Sequence, residues 1–445
     1  MKPHEIIAPW KGDTRFTAIA GRAAALKKAG RDREAILAAI TAEFGPPARL
    51  ERMRDTPAPY RVFGTVGTPD ADIEPGALAQ METALRLPIA VRGALLPDAH
   101  QGYALPIGGV FAAHRAVAPA MVGVDIGCRM HCTILDIEPD AAYAERARLF
   151  DTLKRVTTFG AGAPRRYRAD HPILDDPRWR LTAQLRGLRA KAEAQLGTSG
   201  GGNHFAELVI GERLRADLPG IPERFCALLT HSGSRGVGFA VANHYMRLAA
   251  RETARRAHVP KMYEWLDIDS EAGQEYLAAM ELCGDFARAN HEVIHALFTR
   301  HAGLGVRTVV QNHHNFAWRV GDLVIHRKGA TPAAAGELGI IPGSMASASY
   351  IVVGLGAPES LESSSHGAGR RGSRTWARNT ISLREVRALL AERDVLAEGL
   401  AADEAPQAYK DIERVVRLQE EAGLIARVAR LRPIAVLMAG EPGED

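Results

Sequence analysis

Apolar residues fall into two regimes along this chain. Up to about residue 60 they are alanines and isolated branched residues set among charges. There Arg31 to Phe44 spaces its apolar positions three and four apart, as an amphipathic helix does. Gly45-Pro46-Pro47 cannot continue the hydrogen-bond ladder and stops it. A proline-broken linker leads to a short helix near 77–87. From Ala94 through Cys132, Gly, Val, Ile and Ala come in short runs, which predicts strands joined by tight turns. Glycine-rich loops recur at 197–202, 232–238, 336–343 and 354–369. Helical periodicity covers about 179–196, 239–257, 270–300 and 409–430. Short buried strands alternating with helices predict a mixed α/β fold of the α+β kind, with central sheets flanked by helices. The expected division is a helical extension over 1–60 and one catalytic unit over 61–445.

Composition narrows the class. With 445 residues, 46% hydrophobic and 24% charged, the chain can bury a large core. A net charge of +4 permits a polyanionic partner without requiring one. The four cysteines, at 128, 132, 226 and 283, are too dispersed for a disulfide scaffold. They suit a reducing, cytoplasmic setting with thiols free for metal. No leader-like segment and no run of eighteen apolar residues is present, so neither secretion nor a membrane span is expected.

The chemistry concentrates in the glycine loops. Ser363-Ser-Ser-His-Gly-Ala-Gly-Arg370 sets one imidazole, His366, among small residues that let an anionic ligand approach the backbone. Such an imidazole can attack phosphorus and carry the transferred group, with Arg370 holding a phosphate oxygen. Taken alone it reads first as a Gly/Ser-rich surface loop that happens to contain a His. Val122-Gly-Val-Asp-Ile-Gly-Cys128 brings a carboxylate and a thiol three residues apart. They could share one metal ion, the sulfur could bridge two, or the segment could end a buried strand with an inert Cys. Asp98 and His100, in Pro-Asp-Ala-His-Gln-Gly, either orient ligands from behind or cap a turn. Gly197-Thr-Ser-Gly-Gly-Gly-Asn-His-Phe-Ala-Glu207 suits a phosphate-binding loop and offers His204 as a ligand. His231 ends the apolar run from Phe225 to Leu229. His313 and His314 would point to opposite faces of an extended chain, so only one is expected to be a ligand.

Three further clusters compete. Arg165, Arg166, Tyr167, Arg168, Arg178, Trp179 and Arg180 interleave base and aromatic, either as nucleic-acid contacts or as a solvated helix start. Arg371, Arg374 and Arg378 follow Arg370 with Trp376 among them. His291-Glu-Val-Ile-His295 matches the zinc-protease pattern. With 16 His in 445 residues such a match arises by chance in about one chain in twenty-five. The flanking Tyr276, Met280, Cys283, Phe286, Ile294 and Leu297 read as the buried stripe of a long helix, so the protease reading is set aside.

Taken in order, Val-Gly-Val-Asp-Ile-Gly-Cys, Gly-Gly-Asn-His-Phe, His-Ser-Gly-Ser-Arg-Gly, His-His-Asn-Phe, Arg-Lys-Gly-Ala-Thr, Pro-Gly-Ser-Met and Ser-His-Gly-Ala-Gly-Arg make residues 90 to 440 resemble the RtcB-type RNA-splicing ligases. The resemblance implies a mixed α/β fold peculiar to that family. It implies joining of RNA 3′-phosphate or 2′,3′-cyclic phosphate ends to 5′-hydroxyl ends, with GTP and two manganese(II) ions, in tRNA splicing or RNA repair. His366 would be the guanylylated nucleophile. Asp125, Cys128, His204, His231 and His314 would hold the ions, with Cys128 bridging. Asn203, His204, Phe205, Ala206, Glu207, His314, Asn315, Pro342, Gly343, Ser344, Met345, Ser349, His366, Gly367, Ala368 and Gly369 would form the GMP pocket. Arg235, Arg327, Lys328 and Arg370 would contact phosphate or RNA.

Three departures from the family pattern stand out. Met438 or Ala439 occupies the place of a C-terminal Lys that contacts guanine, and Lys410 is no substitute. Arg129 follows Cys128 where a small residue is common, and Ala346 replaces a Gly. Two other readings follow from the lost Lys. One is an enzyme that activates, caps or opens RNA 3′ ends without joining them; the other is an RNA-binding sensor with a vestigial site.

Overall fold

A computed structural model of the chain describes residues 2–440 apart from 11, 12, 14, 48, 49, 69, 161–166, 168 and 217–219. After a short helix Pro3–Ile6, the helices Phe16–Lys28 and Arg33–Phe44 pack around a small core of their own made by Ile7, Trp10, Ile19, Ile36 and Ile40. Asp32 caps the second by accepting from the Ala35 N–H at 2.8 Å, and Gly45 ends it in a positive-φ conformation. By Glu51–Arg52 the chain already pairs, in parallel, with Ala257–His258 of the main body.

Two sheets organise that body. In the larger, eight strands include the run Val306–His313, Arg129–Leu135, Arg224–Ser232, Phe205–Arg213, Ile425–Met438, Ser349–Gly354 and Leu338–Ile341, all antiparallel. Leu396–Glu398 adds in parallel to the far half of Ile425–Met438. The buried Asn312 amide links the two ends of that run. It donates to the Ile340 carbonyl at 3.2 Å and accepts from the Ile340 N–H at 3.2 Å. Alternation along the strands sends Met130, Cys132, Val209, Leu229, Ile340 and Ile351 to an inner core. Leu208, Ile210, Leu228 and Ala435 face the other way, against Leu149, Leu153 and Phe298 of helices Arg146–Val156 and Glu271–Ala302. The smaller sheet orders Phe316–Val320, Leu323–Lys328, Leu105–His114, Ala90–Tyr103 and Tyr60–Val62.

Register is what gathers the chemistry. Arg129 pairs with both Ser232 and His313, and Phe205 pairs with both His231 and Met438. The residues flanking these partners, Cys128, His204 and His314, therefore emerge at the same end of the large sheet as His231.

Two expectations change. The helix foreseen over 409–430 is only Ile412–Glu421; Gly423, at φ +70°, turns the chain into the 14-residue strand Ile425–Met438. Its apolar run fits either element by periodicity, and Pro433 sits at the irregularity between Pro433 and Ala435, where a central strand tolerates it. Asp98 and His100 lie not in a turn but in the long strand Ala90–Tyr103, across a register shift between Leu95 and His100.

Candidate active site

Three imidazoles, a thiol and a carboxylate converge at that sheet end. The Cys128 Sγ lies 3.1 Å from His231 Nε2 and 3.4 Å from His204 Nε2. His204 Nε2 is 3.1 Å from Asp125 Oδ2, and His231 Nε2 is 3.3 Å from His314 Nε2. The five groups form two triads with donor atoms within 4.8 Å of one another: Cys128, His231 and His314, and Asp125, Cys128 and His204. Cys128 belongs to both. Orientation comes from the backbone. The Asn203 carbonyl lies 3.0 Å from His231 Nδ1, so it accepts the Nδ1–H and leaves Nε2 a lone pair for the cluster. Asn315, itself at positive φ, donates to the Asp125 carbonyl at 3.3 Å and accepts from the Gly329 N–H at 2.8 Å. Gly127 is required: a Cβ there would lie 2.7 Å from the Gly284 Cα of the long helix. Burial and the neighbouring Asp125 carboxylate push the Cys128 thiol well above its ordinary value, and burial holds His231 down to about 3. A cation is what would reverse the thiol's preference.

His366 stands beside this cluster, its ring 4.9 Å from that of His314. Its Nδ1 is 2.7 Å from Oδ2 of Asp98, which is fully buried, and its backbone N–H donates to the same oxygen at 3.3 Å. The carboxylate can only accept, so it takes the Nδ1–H and leaves Nε2 as the free nucleophilic nitrogen. Glycines make room for the pair. A Cβ on Gly108 would come within 2.8 Å of Asp98 Oδ1, and one on Gly369 would strike the Asp98 carbonyl. Lys410 donates to the Pro97 and Ala99 carbonyls at 3.2 and 2.6 Å, bracing the strand that carries Asp98.

A cavity of about 680 Å³ opens over both groups. Asp125, Cys128, His231, His314, His366 and Lys328 line its floor, and Asn203, Phe205, Glu207, Asn315, Pro342–Met345, Ser349 and Gly367–Arg370 its walls. Glu207 is buried in the wall, and burial raises its carboxyl to about 8. Burial likewise lowers Lys328 to about 7; its ammonium donates to the Tyr103 carbonyl and sits over the Tyr103 ring at 3.4 Å.

Comparison with known proteins decides the family. The family model described as "tRNA-splicing ligase RtcB" matches residues 80–185 and 180–439. The chain is 32% identical over 458 residues to the tRNA-splicing ligase RtcB of Nanoarchaeum equitans, covering 85% of this chain and 95% of the relative. It is 33% identical over 392 residues to the RNA-splicing ligase RtcB2 of Escherichia coli, covering 84% and 94%. It is 31% identical over 422 residues to the Thermococcus kodakarensis tRNA-splicing ligase RtcB, covering 77% and 86%.

The chain belongs to the RtcB family. Several expected site residues of this RtcB chain stand elsewhere. Ala206 points into the core between sheet and helices, because strand alternation sends Phe205 and Glu207 to the cavity and Ala206 away from it. Arg327 is buried, stacked on Trp318 at 4.5 Å, and its guanidinium donates to Ser363 Oγ and to the Leu361 and Glu362 carbonyls; it cannot reach RNA. Arg235 donates to Thr198 Oγ1 and the Gly160 carbonyl, tying down the glycine loop, outside the cavity wall. Arg370 does line the cavity, but it also donates to the Asp403 carbonyl at 2.7 Å. Of the basic and aromatic run, Arg165, Arg166 and Arg168 lie outside the described residues. Trp179 is buried with its N–H on the Ile173 carbonyl, and Arg178 pairs with Asp176 and Asp285. In the zinc-protease pattern Glu292 points away to His171, while His291 and His295 are buried behind the sheet.

Sequence pattern also understates or misses residues of this RtcB site. It makes Asp98 a turn cap or a distant orienter, whereas Asp98 grips His366 directly. Tyr409 lines the cavity beside Glu404, to which its hydroxyl donates, and no local pattern marks it. Of the departures, Met438 lines the cavity, and Arg129 is buried and donates to Gln311 Oε1 at 2.9 Å, outside the cavity wall. Among the described residues no helix is long and apolar enough to cross a membrane.

Proposed function

We propose that the protein is an RNA ligase that joins RNA 3′-phosphate or 2′,3′-cyclic phosphate ends to 5′-hydroxyl ends, using GTP and manganese(II). The observation that carries this reading is the pair of triads sharing Cys128, set against an imidazole whose Nδ1–H is held by a buried carboxylate. The ordered motifs and the RtcB relatives point the same way. The donor set of one thiolate, one carboxylate and three imidazoles fits two divalent transition ions, and manganese follows from the family resemblance. Asp125, Cys128 and His204 would hold one ion, and Cys128, His231 and His314 the other. Such ions would supply charge neutralisation at a triphosphate and make its α-phosphorus more electrophilic.

The protein's own part is orientation and proton placement. Asp98 fixes the His366 tautomer, so Nε2 attacks the α-phosphorus and pyrophosphate leaves. GMP passes from His366 to the RNA 3′-phosphate, which breaks the P–N bond and regenerates the imidazole. The 5′-hydroxyl then attacks the activated phosphorus and releases GMP; a cyclic phosphate is first opened by water. Phe205, Glu207, Tyr409 and Met438 would enclose the nucleotide. Incubation with α-labelled GTP and manganese should leave acid-labile label on the protein. Label retained in His366→Ala would overturn the nucleophile assignment.

One observation favours a second reading. Met438 lines the cavity near Glu207, a buried carboxyl with no cation bonded to it among the described residues, so the base edge meets an unusual wall. A protein that forms the adduct but yields only capped or opened 3′ ends on gels of cyclic-phosphate RNA would be an end-activating enzyme. Joined product rules that out as its whole activity. A chain that binds RNA but takes no label would be the sensor.

A further inference from the structure

The rim of the cavity continues into a short helix that the reaction above does not use. Gly372, Ser373 and Arg374 line the cavity with His366 and Arg370, and helix Arg374–Thr380 starts there. Its Trp376 is 41% exposed. Between Leu355 and the last described residue no other large apolar side chain is exposed among the described residues. The ring is held in place. Ser373 caps the helix by accepting the Trp376 N–H at 3.0 Å, and the indole lies against Gly372, where a Cβ would come within 2.8 Å of Cε3. One side of the indole is therefore backed by main chain, while two-fifths of the residue stays open to solvent.

The charge around it is positive. Arg370, Arg371, Arg374 and Arg378 surround the helix start, against the two carboxylates Asp403 and Glu404. Arg371 is exposed and makes no side-chain ion pair among the described residues, and the Arg378 side chain is 61% exposed. Thr375, Asn379 and Thr380 complete an otherwise polar surface. A lone rigid aromatic among guanidinium groups suits a nucleobase with its phosphates better than an apolar protein face, which would need a contiguous patch.

We propose that Trp376 is a stacking platform for a base of the single-stranded RNA end led to His366, with Arg371 and Arg378 facing its phosphates. This rests on the RNA-ligase reading and adds to it a place where the strand crosses the rim. Stacking a base on an aromatic side chain changes affinity by about tenfold. Removing a cation that neutralises one phosphate lowers the salt slope of single-strand binding by about 0.7.

The test uses the full chain with a short, 5′-labelled single-stranded RNA ending in a 3′-phosphate, followed by fluorescence anisotropy. Trp376→Ala should bind it about tenfold more weakly, and Trp376→Phe should stay within about threefold of the parent. In ligation, KM for RNA should rise in Trp376→Ala while kcat holds. Arg371→Gln should reduce the salt slope. Labelling of His366 from GTP needs no RNA and serves as the fold control in every variant. Unchanged RNA affinity in Trp376→Ala with normal labelling would overturn the platform alone. A dimer of the parent that Trp376→Ala breaks, with RNA affinity intact, would assign the ring to a second copy and overturn it too. A parent protein that neither takes label nor binds RNA would instead sink the ligase reading beneath it.

Discussion

The molecule holds two buried histidine clusters on opposite sides of one strand. Along Arg224–Ser232, alternation turns His231 toward the cavity and Thr230 toward the helix Glu271–Ala302. On the cavity side, His204, His231 and His314 bring their Nε2 atoms to a thiol, a carboxylate or one another. On the helix side, His291 and His295 use both ring nitrogens on fixed partners. The Ser232 carbonyl accepts from His291 Nε2–H at 3.2 Å, so His291 Nδ1 accepts the Thr230 hydroxyl proton at 2.6 Å. The Thr230 oxygen then accepts from His295 Nε2–H at 2.8 Å, and His295 Nδ1 takes the Thr133 hydroxyl at 2.7 Å. His131 packs on both rings, 5.7 Å from His291 and 4.3 Å from His295. Both clusters are desolvated. What separates them is that one gathers ring nitrogens, a thiol and a carboxylate around a common point, and the other closes its own circuit. Histidine density or an HExxH spacing does not make a metal site; a site needs ligand atoms that converge on one point, as only the cavity-side cluster offers of these two.

The sharpest way to break this comparison is to remove the shared sulfur. Cys128→Ala takes a donor from both triads at once. Manganese binding by titration calorimetry should weaken by more than about a hundredfold, beyond the cost of losing an outer partner. Ligation should vanish while the melting temperature moves little in the metal-free protein. Ions retained at full affinity would mean that Cys128 is only a core residue.

On the other side the effect should be on the fold. His295→Ala leaves the Thr133 hydroxyl without its partner, takes one of the two partners from the Thr230 hydroxyl and opens a buried void, at a cost of about 2–4 kcal/mol in urea unfolding. Metal affinity should hold. Loss of the ions without loss of stability would erase the distinction between the clusters.

Legibility from sequence follows the same divide. The mixed α/β class is readable because glycine loops punctuate short apolar runs. The gathering of the cavity-side histidines is readable because each of them ends or borders an apolar strand. Asp98 is less so. Its bond to His366 spans 268 residues and depends on an irregular strand that local pattern reads as a turn. Arg327 misleads for the converse reason: its motif is basic, yet pairing of Phe316–Val320 with Leu323–Lys328 turns it onto Trp318 and away from solvent. Likewise the start of the strand Ile425–Met438, as far as residue 430, reads as the end of a helix, because its apolar run suits either period and only its neighbours decide.

A smaller effect comes from pH. Burial holds His291 and His295 well below the ordinary imidazole value and His131 near 4, so the folded protein keeps them neutral. The unfolded chain binds their protons below about 6.5. Stability is therefore full above that value and falls as pH drops below it, by up to about 1.4 kcal/mol per group and pH unit. Urea curves of the metal-free protein at pH 7.5 and 5.5 should show the loss. His295→Gln should show a shallower decline, because one suppressed titration is gone. An equal decline in both would take His295 out of the account and leave the pH dependence to other buried imidazoles, such as His100 and His326, both lowered by burial.

The smallest expected change tests the boundary of the cavity cluster. His313 and His314 are neighbours, and alternation sends only His314 to Cys128, where its backbone N–H also donates to the Cys128 carbonyl at 2.9 Å. His313 turns to the rings of Phe316 and Trp318, at 4.9 and 5.1 Å, and burial lowers it to about 3. A neutral aromatic should serve there nearly as well. His313→Phe should shift stability by less than about 1.5 kcal/mol, as volume-conserving core changes do, and leave manganese affinity unchanged. His314→Phe, one residue on, should lose the ion proposed for Cys128, His231 and His314. Equal effects in the two variants would mean that the pair acts as one unit, and that proximity rather than aim defines the ligand set.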